Sequence, residues 1–93
     1  MREARLSAER PSATVYTSPH CSPCRQVIAF LRDRGVPVDV RDVTADAAAL
    51  GELEAEGYLT TPVTRIGDRW IAGFRRSGLE AALAAAAAEP PAD

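Results

Sequence analysis

What this sequence has little of narrows its reading first. It holds two cysteines and one histidine in 93 residues. That is too few for a disulfide framework, and a zinc site would need ligands beyond this set, from carboxylates or a second chain. No apolar run approaches the roughly 20 residues that cross a bilayer. Met1–Ser12 carries Arg2, Glu3, Arg5, Glu9 and Arg10 around one large apolar residue, Leu6, and lacks the hydrophobic segment of a secretory leader. Charge of one sign is also missing. The net charge of −2 gives no electrostatic reason to expect nucleic acid or a membrane surface as partner. The cytoplasm is therefore the expected compartment and a monomer the expected state. No internal repeat is present.

What is present suits one small α/β domain: 46% apolar and 26% charged residues in a chain near the lower end of what buries a useful core. Residues 1–12 read as a flexible extension, 13–88 as the domain and 89–93 as a tail. β-branched and aromatic residues predict a strand over Ala13–Thr17, broken at Ser18-Pro19-His20. Pro23 suits the first turn of a helix. In that helix Cys24, Val27, Ile28 and Leu31 recur at helical spacing to make one buried face, and Gly35 is its stop. Val36, Val38 and Val40 alternate as a second strand. Thr44 is the expected N-cap of a helix over 45–56, with Leu50 and Leu53 as its apolar stripe and Gly57 at its end. Strands follow at Val63–Ile66 and Arg69–Ala72 around a Gly67-Asp68 turn. Ser77-Gly78-Leu79-Glu80 has the spacing of a capping box for a last helix marked by Leu79, Ala82, Leu83 and Ala86. The order predicts a parallel first strand pair and an antiparallel last pair.

The chemistry concentrates in Cys21-Ser22-Pro23-Cys24, at the junction of the first strand and helix. A Cys-x-x-Cys there reads as a thioredoxin-like redox motif. A helix N-terminus favours a thiolate on Cys21, which would attack a target disulfide; Cys24, facing the core side, would resolve the mixed disulfide. His20 and Pro23 are candidates for tuning the thiolate. A zinc site shared between chains, a redox sensor without catalysis, a structural disulfide and plain core filling are the competing readings. Thr61-Pro62 is a candidate substrate-binding pair, since a cis proline facing the cysteines would free the preceding backbone to pair with an extended substrate.

Three stretches together resemble the glutaredoxin family of the thioredoxin superfamily: Val15-Tyr16-Thr17-x-Pro19-x-Cys21-x-x-Cys24, Thr60-Thr61-Pro62, and Ile66 to Gly73. They cover about residues 13–87 in the family's order. The resemblance implies an α/β thioredoxin-like fold with a four-stranded mixed sheet flanked by three helices. It implies a thiol-disulfide oxidoreductase with Cys21 as nucleophile, Cys24 as resolver and Pro62 in the cis form. No bound cofactor is implied beyond the redox-active Cys21–Cys24 disulfide. Two departures bear on the reductant. Ser18 stands where glutathione-binding members carry a lysine, and Gly73-Phe74-Arg75-Arg76 replaces their acidic pair with the opposite charge. Gly73-Phe74-Arg75 is similar to the NrdH-type redoxins, which are recharged by thioredoxin reductase, a flavoprotein disulfide reductase, and deliver electrons to ribonucleotide reductase. The expected partners are such a reductase and client protein disulfides. The alternative is a glutaredoxin recharged by glutathione or another low-molecular-weight thiol.

Overall fold

The computed structural model describes residues 11–88. Most of the expected N-terminal extension and the whole C-terminal tail lie outside them. Four strands and three helices follow one another along the described residues: β1 (Ala13–Thr17), α1 (Ser22–Asp33), β2 (Val38–Asp42), α2 (Ala47–Ala55), β3 (Val63–Ile66), β4 (Arg69–Ala72) and α3 (Arg76–Ala88). They form one mixed sheet in the order β2-β1-β3-β4. β1 runs parallel to β2, with Val15 opposite Val40, and antiparallel to β3, with Val15 opposite Thr64. The β3–β4 hairpin turns at Gly67-Asp68, because Ile66 faces Arg69. The layered thioredoxin-like architecture expected from the sequence is the one observed. Among the described residues, no helix is long and apolar enough to cross a membrane.

Strand alternation splits the core in two. Ala13, Val15 and Ile66 pack with Val27, Phe30 and Leu31 of α1 and Leu79 and Ala82 of α3. On the opposite face Tyr16 and Val63 pack with Ala49 and Leu53 of α2, and Val43, Tyr58 and Trp70 border them. The α1 stripe thus includes Phe30, which helical spacing from Cys24 did not pick out, while Ile28 is only partly buried.

Both early helices end as their glycines predict. Gly35 takes a φ of 74° and Gly57 a φ of 86°, conformations open to glycine at little cost. In α1, Gly35 N–H donates to Arg32 O and Val36 N–H to Leu31 O; in α2, Gly57 N–H donates to Glu54 O and Tyr58 N–H to Leu53 O. Each is a Schellman closure, which satisfies the last carbonyls and turns the following apolar residue back onto the helix. Val36 and Tyr58 are those residues, and both join the core.

Three element boundaries differ from expectation. The strand expected from Val36 starts at Val38, because the Val36 N–H is spent on the helix end. Pro37 has no N–H, yet its carbonyl accepts from Ala13 N. The cap of α2 is Asp46 and not Thr44. Asp42 Oδ1 accepts both the Thr44 N–H at 2.8 Å and the Thr44 hydroxyl at 2.6 Å, so Thr44 is held in a turn. Asp46 then accepts from Ala49 N at 3.0 Å. Consequently α2 is shorter than 45–56, and Ala49 with Leu53 forms its buried stripe while Leu50 is exposed. The last helix begins at Arg76, one residue before the expected cap at Ser77, with Arg75 O accepting from Leu79 N.

Candidate redox site

Cys21 is the N-cap of α1, in extended conformation with φ −104° and ψ 101°. Its Sγ accepts a hydrogen bond from the Cys24 N–H at 3.1 Å. A sulfur in the N-cap position takes the role usually filled by a serine or aspartate oxygen, satisfying one of the helix's free donors. No acidic residue stands in the first turn, so the positive end of the helix dipole is left to the sulfur. Cys24 lies one turn further on. It is buried, whereas Cys21 is partly exposed, the asymmetry expected from the sequence. The two are joined as a disulfide, with Cα atoms 5.2 Å apart.

Opposite the disulfide stands the segment leading into β3. The Thr61–Pro62 peptide is cis. Thr61 is half-buried, and its hydroxyl donates towards Cys21 Sγ over 4.0 Å. The same hydroxyl lies 2.7 Å from Ser18 Oγ. Pro62 O accepts from the Gly73 N–H at 2.8 Å, which ties the end of β4 to the proline. The topology therefore gathers Ser18, Cys21, Cys24, Thr61, Pro62 and Gly73 from three separate parts of the chain.

The remaining expected site residues are placed differently. His20 is exposed and takes a φ of 60°, a left-handed conformation uncommon outside glycine. Among the described residues its ring hydrogen-bonds to neither sulfur. Pro23 occupies the first turn of α1, exposed. Phe74 is half-buried and meets Phe30 edge-on at 6.0 Å between centroids, so it packs on the aliphatic core. Arg75 lines a cavity with Tyr58, Trp70 and Ala72, while the Arg76 guanidinium stands 5.7 Å over the Phe30 ring. The two arginines turn to opposite faces, and neither hydrogen-bonds to a sulfur among the described residues. No cluster of three or more metal-ligating side chains assembles among those residues.

A groove of about 370 Å³ runs from the site along α2. Ser18 and Thr61 form its near end; Leu50, Leu53, Tyr58 and Leu59 form its walls, and Glu54 is the charged side chain among its lining residues. Leu59, at the groove's edge, is 91% exposed, high for a leucine. Sequence reasoning missed Glu54 and Leu59. Their place depends on the α2 end closure, and no motif announces it. Ser18 was noticed only for not being lysine, and its hydroxyl partner lies 43 residues away.

Residues 13–71 match the family described as Glutaredoxin. The chain belongs to the glutaredoxin family. It has that family's thiol-disulfide oxidoreductase fold, with the cysteine pair at disulfide distance. Among solved structures it is similar to the thioredoxin-like protein BC3987, at 36% identity and a TM-score of 0.70 over 77% of this chain and 100% of that one. It is also similar to the glutaredoxin-like NrdH-redoxin from Escherichia coli, at 27% identity and a TM-score of 0.67 over 74% of this chain and 92% of that one. A curated relative, the Gene 56 protein of Mycobacterium phage D29, is 50% identical over 36 residues, which is 39% of this chain and 40% of that relative's length.

Proposed function

We propose that the protein is a dithiol oxidoreductase that reduces protein disulfides, with Cys21 as the attacking sulfur and Cys24 as the resolving one. The observation that carries this reading is Cys21 as the N-cap of α1, accepting from Cys24 N, with the Thr61 hydroxyl directed at its sulfur. In the reduced protein the Cys21 thiolate attacks one sulfur of the substrate disulfide. That bond breaks, and the departing sulfur leaves as a thiolate that takes up a proton. Cys24, deprotonated in turn, attacks Cys21 Sγ and releases the second substrate sulfur, which is also protonated. Two electrons pass to the substrate, and the protein is left as the Cys21–Cys24 disulfide. Gly73 is hydrogen-bonded to Pro62, where with Thr61 an extended substrate would lie; we assign Phe74 and Arg75, which follow Gly73 in the chain, to the edge of that surface.

We assign the recharging step to a flavoprotein reductase of the thioredoxin reductase type, and the client class to protein disulfides such as that of ribonucleotide reductase. Ser18 and Glu54 support this assignment. Among the groove's described lining residues, the carboxylates of a small peptide thiol would meet a neutral hydroxyl and an acid, and no cation. The solved NrdH-redoxin described as having a thioredoxin-like activity profile is a neighbour in the same sense. The test is NADPH-coupled reduction of insulin with thioredoxin reductase in one arm and with glutathione and its reductase in the other. Turnover in the first arm alone is expected. Turnover in the second alone would sink the reductase assignment. Cys21→Ser should abolish turnover, and Cys24→Ser should trap a mixed disulfide with the substrate.

A further inference from the structure

We propose that Ser18 and Thr61 form a hydroxyl relay that stabilises the Cys21 thiolate, with Thr61 donating to the sulfur and Ser18 positioning Thr61. This rests on the reading of Cys21 as the attacking sulfur, and it assigns Ser18 and the Thr61 side chain a part that substrate binding does not require. The geometry is a chain of three groups. Ser18 Oγ is 2.7 Å from Thr61 Oγ1, and Thr61 Oγ1 is 4.0 Å from Cys21 Sγ.

Proton counting gives the relay its direction. Each hydroxyl has one proton to donate and room to accept. The Thr61 proton can point to Ser18 or to the sulfur, but not to both. A disulfide sulfur is a weak acceptor, so in the oxidised protein either orientation serves. Reduction puts a full negative charge on Cys21. The Thr61 hydroxyl then turns to the thiolate, its distance closing as hydrogen bonds at reacting groups do, and Ser18 fills the vacated place by donating to Thr61 Oγ1. Ser18, Cys21 and Thr61 are all partly buried, which strengthens a charge-assisted bond and couples one to the next. Together with the Cys24 N–H at 3.1 Å, the thiolate would have two donors from two different elements.

Other charged groups of the neighbouring elements are His20 in the preceding loop, Arg25 on α1, Glu54 on α2 and Arg75 after β4. None of them hydrogen-bonds or ion-pairs with either cysteine among the described residues. Among the described residues the direct side-chain donor to the sulfur is therefore Thr61, and the one other side chain hydrogen-bonded to that hydroxyl is Ser18.

The experiment titrates Cys21 alone, in a Cys24→Ser background that keeps the backbone N–H, by the pH dependence of alkylation rate and of ultraviolet thiolate absorbance. Thr61→Val, which preserves shape, should raise the midpoint by about one unit. Ser18→Ala should raise it by a smaller step, and Thr61→Ser should restore the parent value. The double variant Ser18→Ala/Thr61→Val should go no higher than Thr61→Val, because Ser18 acts only through Thr61. An unmoved midpoint in Thr61→Val, an unmoved midpoint in Ser18→Ala, or two shifts that add would each overturn the relay. The titration reads the thiol whether or not the enzyme turns over. Retained disulfide reduction in Cys21→Ser would instead overturn the nucleophile assignment itself, and the two failures are distinguishable.

Discussion

On the face of the sheet covered by α1 and α3, buried apolar side chains from β1, α1, β3 and α3, with Val36, interlock around Val15, Val27 and Leu31. On the other face α2 supplies two buried residues, Ala49 and Leu53, and polar bonds also join it to β1 and β2. Arg41 on β2 ion-pairs with Asp46 at 3.1 Å and with Glu52 at 2.8 Å, and Glu52 also accepts from the Tyr16 hydroxyl at 2.8 Å. Tyr16 in turn stacks on Trp70, which stacks on Tyr58. The first face carries α1 and hence the cysteines. The second carries the wall of the groove. The redox pair is thus set on apolar burial, while the groove wall is set on a smaller core and a polar network, the softer of the two supports.

Truncation should expose the difference most strongly. Leu31→Ala and Leu53→Ala remove the same atoms from opposite faces, and both sites are buried. We expect about 4–5 kcal/mol lost for Leu31→Ala, where neighbours surround the cavity. About 2–3 kcal/mol is expected for Leu53→Ala, which borders the open groove and relaxes more easily. Urea unfolding measures both, and equal losses would erase the contrast.

The next effect separates the faces by pH. Hydrogen bonds from Ala49 N–H and Arg41 hold the Asp46 carboxyl below its ordinary 3.8, and those from Tyr16 and Arg41 hold Glu52 below its ordinary 4.5. Groups lowered in the fold stabilise it above their unfolded values and lose that contribution as the pH falls through their folded ones. Tyr16 runs the opposite way. Burial, then its bond to Glu52, raises its phenol above 10.0, so its contribution is present below 10.0 and lost as the pH rises through the raised value. The urea midpoint should therefore fall at both extremes. In Tyr16→Phe the alkaline fall should vanish and the neutral stability drop by about 0.5–1.5 kcal/mol. An unchanged alkaline limb in that variant would show that the network does not hold this face.

The smallest effect lies on the apolar face. Thr64 is fully buried, and its hydroxyl has no partner among the described residues. Thr64→Val removes an unsatisfied group at nearly constant shape, so stability should hold or rise by about 1 kcal/mol. A clear loss in the same unfolding assay would mean that the hydroxyl has a function on this face.

Much of this was readable from local chemistry. Glycine after each helix, the Gly67-Asp68 turn and the period of Val27 and Leu31 placed the elements, because turn conformation and side-chain spacing are local properties. Boundaries failed where a competing bond intervened. Asp42 took Thr44 for a turn, and Leu31 O took the Val36 N–H from the ladder. Arg75 and Arg76 were adjacent in sequence, yet the start of α3 sends them to different faces.

By itself, then, the sequence determined the order of strands and helices, the cysteine pair at a helix start and the family resemblance. These depend on spacing, backbone preference and the position of residues along the chain. Only the tertiary structure decided which side chains meet the sulfur and what lies beside it. Ser18 touches Thr61 across 43 residues and Tyr16 touches Glu52 across 36. Such pairings arise when parallel and antiparallel registers lock together, and no period or motif along the chain encodes the distance between two hydroxyls.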